Sequence, residues 1–73
     1  MTSKTWTAEL GAELKRRRVA AGYGRMRFAD LLGSQRSQVW KWETGAVCPS
    51  ERYRNAAAEL LECEPGDLYP VAN

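Results

Sequence analysis

Arg25-Met26-Arg27-Phe28-Ala29-Asp30-Leu31-Leu32-Gly33-Ser34-Gln35-Arg36-Ser37-Gln38-Val39-Trp40-Lys41-Trp42 is the stretch on which the fold turns. It reads as two short helices joined by a tight bend. The first runs from about Arg25 to Leu32, with Phe28, Ala29 and Leu32 on its inner face, and the second from about Arg36 to Glu43. Helices that cross this closely need a small residue one turn before the bend, and Ala29 stands there. The bend needs a left-handed backbone, which Gly33 adopts without steric cost. Val39 and Trp42, about one turn apart, anchor the second helix.

Wound at ~100° per residue, the second helix places Arg36, Ser37, Trp40 and Lys41 on one side. Gln38, Val39, Trp42 and Glu43 fall on the other. One face docks, and the other presents hydrogen-bonding groups and an apolar ring. An α-helix fits the major groove of duplex DNA, where base edges carry a distinguishing pattern. On this reading Arg36 meets the acceptors of guanine, or else a phosphate or solvent. Ser37 touches DNA or serves as an early helix hydroxyl. Lys41 reaches guanine or phosphate. Gln35 contacts DNA or caps the helix. Trp40 meets a thymine methyl group or a protein surface, or folds back on Lys41 or the first helix of the pair.

Outward from this pair the chain stays helical. Thr7 is a plausible N-cap with Glu9 in the first turn. Leu10, Leu14, Arg18 and Ala21 recur at helical spacing until Gly22. Arg18 lies on that apolar stripe beneath Leu14, so it needs an anionic partner. Pro49-Ser50 opens a fourth helix, with Tyr53, Ala57, Leu60 and Leu61 as its core contacts, and Pro65 starts a short turn or helix through Leu68 and Tyr69. No alternating run is long enough for a strand. The expected division is an arm over residues 1–6, a domain over 7–69 and a tail over 70–73. Trp6 is expected to tack the arm to the domain.

With 73 residues there is room for one domain and a small core. Charge is unevenly spread. Residues 1–42 carry nine basic and three acidic side chains, a net +6, and residues 43–73 carry two basic and six acidic ones, a net −4. That asymmetry suits one cationic face turned to a polyanion. Lys15-Arg16-Arg17-Arg18 invites reading as a nucleic-acid patch, but on a helix those side chains diverge. Arg18 aside, they read as a solvated face with long-range attraction for DNA.

Two cysteines are too few for a disulfide scaffold; Cys63 reads as a small core residue and Cys48 as partly exposed in a loop. The absence of histidine and of paired-cysteine spacing argues against a zinc site. With no phosphate-cradling glycine loop and little room for a pocket, an enzyme is not expected, nor any cofactor. No stretch approaches the ~20 apolar residues of a membrane span, and the first residues lack a signal peptide's apolar segment. The expected location is the bacterial cytoplasm, in association with the nucleoid, without a membrane partner.

At this point the chain resembles the Cro/cI-type helix-turn-helix regulators, small phage repressors and bacterial regulators among them. The resemblance rests on Leu10-Gly11, Leu14, Arg18 and Gly22; on Phe28-Ala29, Leu32-Gly33, Ser37, Val39, Trp42-Glu43 and Gly45; and on Pro49-Ser50, Ala58, Leu61 and Leu68. It implies an all-α, compact five-helix, lambda-repressor-like DNA-binding domain, with helices two and three forming the helix-turn-helix. It implies that Arg18 pairs with Glu43. It implies base contacts from Gln35, Arg36, Ser37, Trp40 and Lys41, and phosphate contacts from Arg25, Thr44 and Gly45. Arg25 stands where many members carry glutamine, and Gly24 replaces the usual capping serine or asparagine. The implied function is a Cro-like repressor that binds double-stranded DNA sequence-specifically, as a homodimer on an approximately two-fold symmetric site. Dimer contacts would come from Tyr69, Pro70 and Val71. The rival reading is a protein-interaction module of the same fold, an antitoxin or adaptor.

Overall fold

The computed structural model describes residues 6–68. Five helices follow one another: α1 (Ala8–Ala20), α2 (Arg25–Leu32), α3 (Arg36–Thr44), α4 (Glu51–Leu60) and α5 (Pro65–Leu68). Among the described residues there is no strand. The fold class is all-α, as the hydrophobic spacing indicates.

Local chemistry sets the helix ends. The Thr7 side chain accepts the Leu10 amide at 3.1 Å and caps α1. Gly24, Gln35 and Ser50 occupy the N-cap positions of α2, α3 and α4, and none makes a side-chain capping bond. At the end of α2, Gly33 takes the left-handed conformation (φ 74°, ψ 32°). The Gly33 and Ser34 amides then bond back to the carbonyls of Asp30 and Ala29 at 3.1 and 2.8 Å. This closing pair of bonds satisfies carbonyls that would otherwise be orphaned, and turns the chain directly into α3.

The core is built from Leu14, Phe28, Ala29, Leu32, Val39, Trp42, Ala57, Ala58 and Leu68. Pro49 is fully buried as well, which its loop position does not suggest from sequence. Tyr53 tilts against Trp42 with ring centroids 5.2 Å apart, so α4 buttresses the inner side of α3. Of the expected apolar stripe on α1, Leu14 and Arg18 are buried and Leu10 is half-buried, whereas Ala21 is exposed. Ala21 is the C-cap of α1, still αR with its amide on the Arg17 carbonyl at 3.0 Å, but its short side chain faces an open depression beside Tyr23, Leu60 and Leu61 and is not covered. Cys63 is half-buried against the core and Cys48 is exposed; both are free thiols.

α1 and α3 approach so closely that one residue must be glycine. A Cβ on Gly11 would stand 2.5 Å from the Trp42 carbonyl oxygen and closer still to that of Glu43. Trp6 closes the same junction, its indole Nε1 donating to the Trp42 carbonyl at 2.7 Å. Residues 1–5 and 69–73 lie outside the described residues, and with them most of the expected arm and the expected dimer contacts at Tyr69, Pro70 and Val71.

Candidate nucleic-acid interface

α3 is an amphipathic rod whose polar side faces water. Arg36, Ser37, Trp40, Lys41 and Thr44 are exposed, while Val39, Trp42 and Glu43 are buried. Gln35, just before the first turn, is exposed and its side chain makes no capping bond to α3. The fold therefore brings Gln35, Arg36, Ser37, Trp40, Lys41 and Thr44 onto one surface. Gln35 and the half-buried Gln38 also line a shallow depression beside the bend, with Gly33, Ser34 and Tyr53.

The electrostatics of this surface depend on Glu43, the acid of α3. Its side chain is 2% exposed and the Arg18 side chain 5%. Arg18 Nε donates to Glu43 Oε2 at 2.6 Å and Nη2 to Oε1 at 3.2 Å. Arg18 Nη1 donates to the Tyr23 carbonyl at 2.8 Å. The buried arginine thus has its fork satisfied, as burial of a charge demands. With Glu43 neutralised from behind, the exposed charges of α3 are Arg36 and Lys41, both cationic.

Arg25, at the start of α2, has a second tie that sequence reasoning missed. Its Nε lies 3.4 Å from Glu43 Oε1, and its side chain is 33% exposed. Two guanidinium groups therefore share one buried carboxylate, leaving a net positive charge that opens to solvent through Arg25. The substitution of arginine for glutamine in a chain that resembles this family was the available signal.

The two remaining expected phosphate contacts differ. Thr44 is exposed, its hydroxyl on the Lys41 carbonyl at 3.2 Å. The Gly45 amide donates to the Trp42 carbonyl at 3.2 Å, and a Cβ there would meet Ala8 N at 2.6 Å. Gly45 ends α3 and seats it on the start of α1; its N–H is spent inside the chain. On α1, Glu13 holds Arg16 and also Arg17, the latter at 2.8 Å. Those two charges are paired locally, away from the bend.

A five-helix unit with a buried α1–α3 ion pair and an exposed polar α3 after a glycine bend is a helix-turn-helix domain of the Cro/cI type. A family model described as a helix-turn-helix domain matches residues 9–69, and the chain belongs to that family.

Solved structures agree. The restriction-modification controller protein C.AhdI from Aeromonas hydrophila is 31% identical, with 85% of this chain and 94% of that one covered and a TM-score of 0.78. The P22 c2 repressor protein, in complex with a synthetic operator, shares the fold at 20% identity and a TM-score of 0.79, over 84% of this chain and 92% of that one. Hydroxypropylphosphonic acid epoxidase from S. wedmorenis matches at 27% identity and a TM-score of 0.78. That match covers 94% of this chain but 36% of the epoxidase. Comparison with curated proteins finds no match. No helix among the described residues is long and apolar enough to cross a membrane.

Proposed function

We propose that this protein is a transcriptional regulator that binds double-stranded DNA, with α3 in the major groove as the sequence reader. The observation that carries this is the exposed face of α3, polar and cationic on a helix whose other side is locked into the core. A helix is about 10–12 Å across with its side chains and enters a groove about 12 Å wide. Arg36, in the first turn, offers a fork to the two acceptors of guanine. Ser37, Lys41 and Gln35 flank it with further donors. Arg25 and Thr44, at the start of α2 and the end of α3, take phosphates on either side of the groove. The controller and repressor likenesses support the same role. A single domain this small reads few base pairs, so two copies on half-sites about 34–36 Å apart supply the discrimination. A Cro-like repressor is the form of regulator this favours.

The rival is a protein-interaction module; the epoxidase match, which covers 36% of that chain, shows that this fold also occurs inside a longer enzyme. Salt separates the two. Duplexes selected from a random pool should bind with a log–log salt slope of roughly −0.9 per neutralised phosphate, measured by fluorescence anisotropy. A flat response between low and physiological salt, or no selectable duplex, refutes the DNA reading.

A further inference from the structure

Trp40 is a large apolar ring that the fold does not use. It stands 51% exposed, whereas Trp42, two residues on, is 1% exposed and central to the core. The Trp6 indole is tied to a backbone carbonyl, but the Trp40 indole has no hydrogen bond, ring contact or cation–π partner among the described residues. Arg36 and Thr44, one turn before and after it, are exposed, as are Ser37 and Lys41 beside it. The ring is therefore the apolar centre of an otherwise hydrophilic reading face.

We propose that Trp40 makes this protein select a pyrimidine carrying a C5-methyl group, and that it reads the methyl rather than the base. The inference rests on the reading of α3 as a major-groove helix. In that groove each base pair shows polar atoms, and thymine adds one apolar feature, its C5-methyl group. An indole has a single edge donor and no acceptor. Its broad face has nothing to pair with on a polar base edge and is complementary to a methyl group. Arg36 and Trp40 are four residues apart, about 6 Å along the same face of the helix, so they meet nearby base pairs. Each half-site should thus join a guanine-type acceptor edge to a methyl-bearing pyrimidine close to it. Cytosine methylated at C5 presents the same methyl group on a different hydrogen-bonding edge, so it should restore binding that unmodified cytosine loses. Binding at such sites becomes sensitive to cytosine methylation.

The experiment takes the duplex selected by the full chain and replaces each thymine in turn by deoxyuridine, which removes the methyl group alone. One position per half-site should lose affinity by about fourfold. Replacing that thymine–adenine pair by cytosine–guanine should weaken binding, and 5-methylcytosine should recover about the same factor. In Trp40→Ala the thymine-to-deoxyuridine ratio at that position should fall to one, while Trp40→Leu, which keeps an apolar side chain, should retain part of it. Both variants change an exposed residue, and thermal melts check that they fold. A wild-type chain indifferent to deoxyuridine at every position overturns the proposal, as does an unchanged ratio in Trp40→Ala. A chain that binds duplex but fails these tests leaves the DNA reading standing, whereas a chain that binds no duplex overturns both.

Discussion

Removing Glu43 should cost more stability than removing Arg18, and removing Arg25 should cost little. All three meet at one carboxylate, but their surroundings differ. Glu43 and Arg18 are almost fully buried, joined by two hydrogen bonds of 2.6 and 3.2 Å. Stranding a buried charge by deleting its partner costs about 3–5 kcal/mol. A chain of this length has a total stability of roughly 4–11 kcal/mol, so either change removes much of it. The asymmetry comes from Arg25. In Arg18→Met the Glu43 carboxylate keeps Arg25 Nε 3.4 Å away, and the guanidinium can move closer. In Glu43→Leu the buried Arg18 keeps only the Tyr23 carbonyl. Arg25→Ala breaks a longer contact to a side chain one-third exposed, worth about 0.5 kcal/mol or less. The expected order of destabilisation is Glu43→Leu, then Arg18→Met, then Arg25→Ala. Urea unfolding followed by circular dichroism measures each, and the Arg18→Met, Glu43→Leu double variant completes a cycle. The double variant should recover about 2 kcal/mol or more of the summed single losses, because neither charge is left behind. Strict additivity, or Arg25→Ala costing as much as Arg18→Met, would refute the reasoning.

Two further outcomes are expected. Gly11→Ala gains up to about 1 kcal/mol of helix propensity, yet should destabilise by about 1–3 kcal/mol, because the new Cβ meets backbone carbonyls of α3 that cannot step aside; a raised midpoint in thermal unfolding would contradict the close packing of α1 on α3. Arg36→Ala should weaken specific binding and relax preference at one base pair of each half-site by ~1–3 kcal/mol, while Arg16→Ala, paired to Glu13 on α1, should leave base preference intact. Affinities on the selected duplex and three single-base variants decide it, and a uniform loss in Arg36→Ala would make Arg36 a phosphate contact.

The helix pair was legible because each of its demands falls on a residue type that few others can replace: a small Ala29, a left-handed Gly33, apolar Val39 and Trp42 one turn apart. Helical spacing also divides α3 correctly into exposed and buried sides, with Arg36, Ser37, Trp40 and Lys41 outward. What escaped is long-range. Nothing local in Arg25 announces that it reaches Glu43, because the contact depends on how α2 and α3 cross. The commitment of the Gly45 amide, the burial of Pro49 and the Trp6 bond to the Trp42 carbonyl are likewise products of packing between segments distant in sequence. Ala21 misled because register places a residue on a face without saying what covers it, and at the end of α1 that face opens on a depression beside Tyr23 and Leu60.

The ion pair is better understood as setting the roll of α3 than as holding it down. Val39 and Trp42 already supply apolar anchorage, and well-packed apolar residues replace many buried ion pairs without loss of stability. Apolar contacts, however, are non-directional. Two parallel hydrogen bonds from a planar guanidinium to one carboxylate fix an orientation. Each residue of α3 occupies ~100° of its circumference. A modest rotation about its axis would swing Arg36 and Trp40 toward one wall of a groove while leaving Val39 and Trp42 largely buried. The Arg18→Met, Glu43→Leu double variant separates these roles, since both charges are gone and the core can close over the site. It should keep most of its stability, which comes from the core, and its salt-dependent affinity for duplex, which comes from Arg36, Lys41 and an Arg25 released from Glu43. It should lose discrimination among single-base variants of the selected site, by at least severalfold relative to the parent chain. A double variant with unaltered base preference would mean that Val39 and Trp42 alone fix the roll of α3, and that the pair acts on stability only.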